Sequence, residues 1–371
     1  VIVGAKGTVI DTDIHARPDP ARVADYLAEP WRRRFLSGNR GPGYLGYWNP
    51  NGVRRSDAVM LDGSDIADSP HSLASHFLDV YGIEYGLLNV DDLAIGLSPD
   101  ADYAAAVVSA INDVIVHEWL PVDARMRASL IVSAADPQQA AREIRRLGAH
   151  PGVVQVLMPS GARMPYGQRF YHPIYEAAVE RSLPVAIHPG SEGVGLAYPP
   201  TPAGYPSTYF EFHTGLVANY IGHLISLVAE GVFVKFPTLR WVLIEGGVSW
   251  LPALLWRFDK NYKALRQTTP WLTRPPSEYV YEHVRLTTQP IEEPDNPIHL
   301  RQVLGMFDAG RMLMFSSDFP HWDGDTPDFA ARSIPPELRS RVLSETAREL
   351  YGLPFALAAE VNRSKLEQSH V

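Results

Sequence analysis

Four stretches of this chain end in residues able to hold a cation or move a proton: Asp11-Thr12-Asp13-Ile14-His15, Ile187-His188-Pro189-Gly190, Ile244-Glu245-Gly246-Gly247 and Ser316-Ser317-Asp318-Phe319-Pro320-His321. Side chains alternate along a strand, so Asp13 and His15 point the same way and can grip one ion. Read blandly, Asp13 would cap a turn and His15 would sit at the surface. His188 closes an apolar run bounded by Pro and Gly, the mark of a short buried strand, and a buried strand-end histidine needs a partner. Glu245 and Asp318 close two further apolar runs. Several carboxylates buried together repel one another and lose solvation unless a cation compensates them. With imidazoles among them the set suits Zn²⁺, Fe²⁺ or Mn²⁺ better than Ca²⁺ or Mg²⁺, which prefer oxygen shells.

These residues are far apart in sequence, so only the elements that carry them can bring them together. Apolar, β-branched runs at 8–13, 85–90, 127–132, 153–157, 184–188, 239–245, 284–288 and 312–316 read as eight strands. Helical periodicity occupies 101–119, 137–147, 174–181 and 215–229. Strand alternating with helix implies a parallel sheet, and no Gly-rich dinucleotide turn follows the first strand, which favours a closed (β/α)₈ barrel over an open sheet and argues against an organic cofactor. In such a barrel the carboxyl ends of all strands meet at one face, which would gather Asp13, His15, His188, Glu245 and Asp318. Residues 17–84 are too long for a strand-to-helix connection and mix Tyr44, Tyr47 and Trp48 with Gly and Pro, the pattern of an inserted cap. A loop over 189–207 with five prolines and two tyrosines reads as a second piece of the mouth. Residues 335–371 read as a helical tail, helical to Tyr351 and with a surface helix from Leu357, and the whole as one domain.

Composition bounds the partners. Of 371 residues, 46% are hydrophobic and 20% charged, enough for a large core. The net charge of −9 is spread without basic clusters, which disfavours nucleic acid. Without cysteine, disulfides, thiolate ligands and thiol nucleophiles are excluded, and any metal must use N and O donors. There is no basic n-region ahead of an apolar stretch and no uninterrupted apolar run of about 18 residues, so the chain reads as cytoplasmic, with a small-molecule substrate and no membrane partner.

On Asp13-Ile14-His15, Ile187-His188-Pro189 and Ser317-Asp318-Phe319-Pro320-His321 the chain resembles the amidohydrolase superfamily, and within it the amidohydrolase-related group of hydrolases and nonoxidative decarboxylases. The resemblance covers nearly the whole chain. It implies a metal held by Asp13, His15, His188 and Asp318, with Asp318 able to exchange a proton, and a homodimer. The sequence departs from the group's usual His-x-His at Asp13, and from the decarboxylases' histidine after the sixth strand, where it has Glu245. A carboxylate there repels an anionic substrate and can bridge to a second cation, with His213 as a further ligand.

The resulting expectation is a hydrolase. Water activated by one or two divalent metals attacks an amide, ester, lactone or thioester carbonyl, Asp318 moves the proton, and Glu245, His213 and His321 assist. Arg17 and Arg257 are candidate anchors for an anionic part of a large, partly apolar substrate. The alternatives are a nonoxidative decarboxylase of an aromatic or unsaturated acid and a non-catalytic metal-binding barrel. Glu211 reads as a solvated helix residue, His172, His223 and His283 as core or surface histidines, and Trp250, Trp256 and Phe258 as core.

Overall fold

The computed structural model describes residues 8–355, so the expected helix from Leu357 lies outside them. Eight parallel strands follow one another in sequence order: β1 (Val9–Ala16), β2 (Ile83–Val90), β3 (Met126–Ile131), β4 (Val153–Pro159), β5 (Val185–His188), β6 (Trp241–Leu243), β7 (Val284–Thr287) and β8 (Leu313–Met314). The seam between β8 and β1 is closed by Thr12 N–H donating to Phe315 O (3.0 Å), Asp318 N–H to Asp13 O (3.0 Å) and His15 N–H to Phe319 O (2.7 Å). The result is the expected (β/α)₈ barrel. Strands such as Val153–Pro159 and Val185–His188 are buried throughout, because helices cover a parallel sheet on the outside while its inner face fills the barrel.

Two strands are shorter than their apolar runs by more than one residue. β6 stops at Leu243 because Glu245 turns into the left-handed region, with φ of 61°. β8 starts at Leu313 because Met312 completes a helical turn, Ala309–Met312. Conversely β1 runs past Asp13 to Ala16, carrying His15 on the strand itself. The expected helix over 101–119 is α-helical over Ala101–Val114 and then widens into a π turn, Ile115–Trp119.

Between β1 and β2 lie the short helices Pro20–Asp25 and Trp31–Leu36 and an irregular stretch whose Tyr44, Leu45, Tyr47 and Val53 reach the barrel mouth. Trp48 instead faces outward, 82% exposed. By length and composition alone Tyr209–Ala229 is apolar enough to cross a membrane, with mean hydropathy 1.2. Here it is broken into Tyr209–Gly215 and Val217–Ala229, and the latter buries Tyr220, Leu224, Leu227 and Val228. The Tyr220 hydroxyl donates to Ile244 O, tying this helix to the end of the sixth-strand run.

His172, His223 and His283 are buried. His223 has both nitrogens engaged: Nδ1 accepts from Tyr166 N–H (3.2 Å) and Nε2–H donates to Ser160 O (2.8 Å). Burial pushes its pKa down to about 4 from 6.5. Between those values the unfolded chain takes up a proton that the folded one refuses, so this group withdraws stability as pH falls from 6.5 towards 4. At pH 5 the loss is about 2 kcal/mol. His223→Gln, which keeps a donor and an acceptor, is expected to lose less stability than the parent between pH 7.5 and pH 5. Denaturant melts of both proteins at the two pH values check this, and parallel losses would remove His223 as the cause.

Candidate functional site

Asp11, Asp13 and His15 alternate along β1 and are all buried. Asp11 accepts from the backbone N–H of Ser317 (2.9 Å) and of Asp13 (3.2 Å), and so joins the two edges of the seam; burial raises its pKa to about 7. Asp13 Oδ1 accepts from Asn89 Nδ2 (2.6 Å), leaving Oδ2 towards His188 Nε2 at 3.4 Å. His188 ends β5, and its Nδ1–H donates to Pro189 O (2.9 Å). That bond fixes the tautomer and leaves Nε2 as the donor atom facing the site.

Asp318 follows β8, and the left-handed backbone at this residue (φ 55°) aims its carboxylate across the seam. Its Oδ1 lies 2.9 Å from His15 Nε2 and accepts from His321 Nδ1 at 2.6 Å. A non-glycine residue held with positive φ stores about 1–3 kcal/mol of strain, and such residues cluster at functional sites. Glu245 is the other one at this rim. Of the glycines after it, Gly247 takes a left-handed φ of 63°, and a Cβ there would meet Glu292 Oε1 at 2.7 Å. That carboxylate accepts from Val248 N–H (3.1 Å) and Ser249 N–H (3.0 Å), ahead of the helix Trp250–Leu265.

One donor atom from each of Asp13, His15, His188 and Asp318 lies within 4.8 Å of the others, and all four residues are buried. No aligned hydrogen bond reaches Asp13 Oδ2, His15 Nε2, His188 Nε2 or Asp318 Oδ2, although imidazoles and carboxylates face one another at ion-pair distance, an arrangement costly to bury unless a cation satisfies it. The electrostatics agree. Burial and His321 oppose a charge on His15, yet Asp91, Asp13 and Asp318 raise its pKa to about 10. Against the same burial, Asp13 and Glu245 raise His188 to about 9. The site draws positive charge, and these residues fit a divalent transition metal.

Glu245 and His213, expected to bind a second ion, stand outside this quartet. Glu245 Oε2 lies 3.1 Å from His188 Nε2, whereas His213 Nε2 is 4.0 Å from Glu245 and pairs more closely with Asp323, at 3.2 Å. Both line a cavity of about 380 Å³ above the quartet. Five aromatic side chains stand in its wall among charged and aliphatic ones: Tyr44 and Tyr47 from the segment between β1 and β2, Tyr209 and Phe212 after the mouth loop, and Trp322. A larger cavity of about 520 Å³, walled by Pro199, Thr201, Asn219 and Gly222, gathers no cluster of ionisable groups.

Arg17 lines the cavity, but its Nε donates to Asp91 Oδ2 (2.8 Å), so it is already paired. Arg257 is exposed on its helix and does not reach the cavity. The expectation of a core Trp256 is corrected too, since it is 60% exposed. Glu211 is more than a solvated helix residue: it closes a capping box with Thr208, accepting from Thr208 N–H (3.0 Å) while Thr208 Oγ accepts from Glu211 N–H (3.2 Å). Sequence reasoning missed Asn89, Asp91 and Glu192. The first two repeat, at the end of β2, the alternate spacing of Asp13 and His15, which was the available signal. Glu192 sits in the irregular mouth loop, where no periodicity marks it.

Fold and site define a barrel enzyme with a divalent-metal centre. The chain belongs to the amidohydrolase family, whose model matches residues 10–353. It is 25% identical over 299 residues to gamma-resorcylate decarboxylase of Rhodococcus jostii strain RHA1, covering 74% of this chain and 80% of that one. Among solved structures, an amidohydrolase from Mycobacterium avium subsp. paratuberculosis K-10 superposes with a TM-score of 0.71 at 20% identity over 94% of this chain and all of the other. A manganese-bound 5-carboxyvanillate decarboxylase from Novosphingobium aromaticivorans gives 0.67 at 19%, over 94% and 98%. These two likenesses establish the fold. The curated relative overturns the hydrolase expectation in favour of the decarboxylase alternative. Glu245, which had tilted the reading to a hydrolase, pairs with His188.

Proposed function

We propose that the protein is a metal-dependent nonoxidative decarboxylase of a hydroxyaryl carboxylic acid. The observation that carries this is a buried Asp13/His15/His188/Asp318 quartet beneath an aromatic-walled cavity, in a chain one quarter identical to gamma-resorcylate decarboxylase. A divalent ion held by the quartet, manganese by analogy with the carboxyvanillate enzyme, supplies Lewis-acid charge that neutralises and orients the substrate's acidic groups.

The rest falls to the chain's own side chains. The aromatic wall stacks the ring and excludes water. Asp318, kept ionised at rest against the effect of burial by His321 and His15, takes the Nδ1 proton of His321 and delivers it to the ring carbon that bears the carboxylate. The bond to the carboxyl carbon then breaks, its electron pair returns to the ring and carbon dioxide leaves. His321, bonded to Asp318 at 2.6 Å, is then reprotonated from solvent, so each turnover consumes one solvent proton and the product keeps the one it received. A hydroxyl ortho or para to the reacting carbon makes that carbon basic enough to accept the proton, which selects hydroxyaryl acids over plain benzoate. Glu245 and His213, on the wall beyond the quartet, are assigned to substrate contact.

Manganese-loaded protein is expected to release carbon dioxide from 2,6-dihydroxybenzoate or another hydroxybenzoate in a panel, and none from benzoate. Absence of release from the whole panel with metal bound would overturn the proposal.

A further inference from the structure

Asp91 stands outside the quartet yet touches it at one point. Its Oδ1 lies 2.6 Å from His15 Nδ1, the ring nitrogen turned away from Asp318, at ion-pair distance though without the alignment of a hydrogen bond. Its Oδ2 accepts from Arg17 Nε at 2.8 Å. Arg17 Nη1 in turn lies 3.5 Å from Asp65 Oδ2, a buried carboxylate in the inserted segment that also pairs with Arg54. The backbone repeats this tie, with Arg17 N–H donating to Ala67 O at 3.0 Å.

We propose that Asp65, Arg17 and Asp91 form a positioning relay through which the inserted segment orients His15 as a metal ligand. It rests on the metal-binding part of the reading above, but not on the reaction. A neutral imidazole has one lone pair and one N–H. If Nε2 serves the ion, Nδ1 carries the proton, and a carboxylate facing that proton fixes the ring and raises the basicity of the donor nitrogen. Arg17 holds the second oxygen of Asp91 and so prevents the carboxylate from rotating away. Arg17 is thereby a positioning residue and is not free to anchor substrate. Asp91, His15 and His321 also lie close enough together to suggest an ion of their own. That would require His15 Nδ1 to act as a ligand while Nε2 does so too, which a neutral ring cannot do.

The test is Mn²⁺ titration of metal-free protein. Relative to the parent, Asp91→Asn is expected to weaken Mn²⁺ binding by between about 10- and 100-fold, and Asp65→Asn by an amount nearer the lower bound. Turnover lost at limiting Mn²⁺ should return as Mn²⁺ is raised, which damage to the fold would not allow. Asp65→Asn keeps the acceptor for Ala67 N–H, so it carries the test should Asp91→Asn not fold. Equal Mn²⁺ affinity in parent and variants overturns the relay, as does a second Mn²⁺ per chain that disappears in Asp91→Asn, since Asp91 would then be a ligand. A parent that binds no Mn²⁺ removes the relay and the metal premise together. A parent that binds Mn²⁺ tightly but releases no carbon dioxide removes only the decarboxylase reading, and the relay is then judged on affinity alone.

Discussion

Asp318→Asn is expected to lower turnover of the hydroxyaryl acid by about 10²- to 10⁴-fold, the range for loss of a positioned proton donor. Asparagine has the same shape and is, like aspartate, among the few residues that tolerate a left-handed backbone, so φ of 55° can be kept. Its carbonyl oxygen can still face His15 and accept from His321. What it cannot do is carry a proton to carbon. Turnover measured at saturating Mn²⁺, with bound metal quantified in the same sample, separates the two roles: retained metal with lost turnover assigns the proton to Asp318. Unchanged turnover would take Asp318 out of the proton transfer and leave it a ligand at most.

His188→Ala should remove both metal and activity. The Nδ1–H of His188 is committed to Pro189 O, so Nε2 is the only donor this residue offers, and its loss leaves Asp13 and Glu245 facing each other without an imidazole between them. The fall in Mn²⁺ affinity should exceed the roughly 100-fold upper bound for residues that merely orient ligands. Titration of the variant alongside Asp91→Asn checks the ranking. A variant that binds Mn²⁺ within a few-fold of the parent would mean that the ion is held elsewhere. Chelation of the parent should abolish carbon dioxide release, and Mn²⁺ should restore it.

The barrel was legible because its strands are buried on both faces and read as continuous apolar runs, and because Asp13, His15, His188 and Asp318 each stand at the end of such a run. Their convergence follows from topology alone. Side chains set by local geometry were not legible. Asp91 and Asn89 share the spacing that singled out Asp13 and His15, but nothing in that spacing says that Asn89 meets Asp13 or that Asp91 meets His15. The sequence pattern around His213 gives no sign that its imidazole faces Asp323, at 3.2 Å, more closely than Glu245. Arg17 and Arg257 look alike as cations near rim elements, and only the packed structure separates a guanidinium held between two carboxylates from one in solvent. The hydrolase expectation failed at Glu245 for a related reason: a carboxylate in place of a histidine says that the site differs, without saying what that carboxylate touches.

Glu245 is held in a conformation that glycine adopts freely and that costs a glutamate about 1–3 kcal/mol, and Asp318 shares it at the smaller cost that aspartate bears. A selection for heat resistance alone would therefore reward substitutions at these two positions, because relief of such strain is among the easiest gains available to a natural protein. Variants recovered that way would outlast the parent and catalyse little, so thermostability campaigns on this barrel should hold positions 245 and 318 constant and look for their gains on the far side of the molecule.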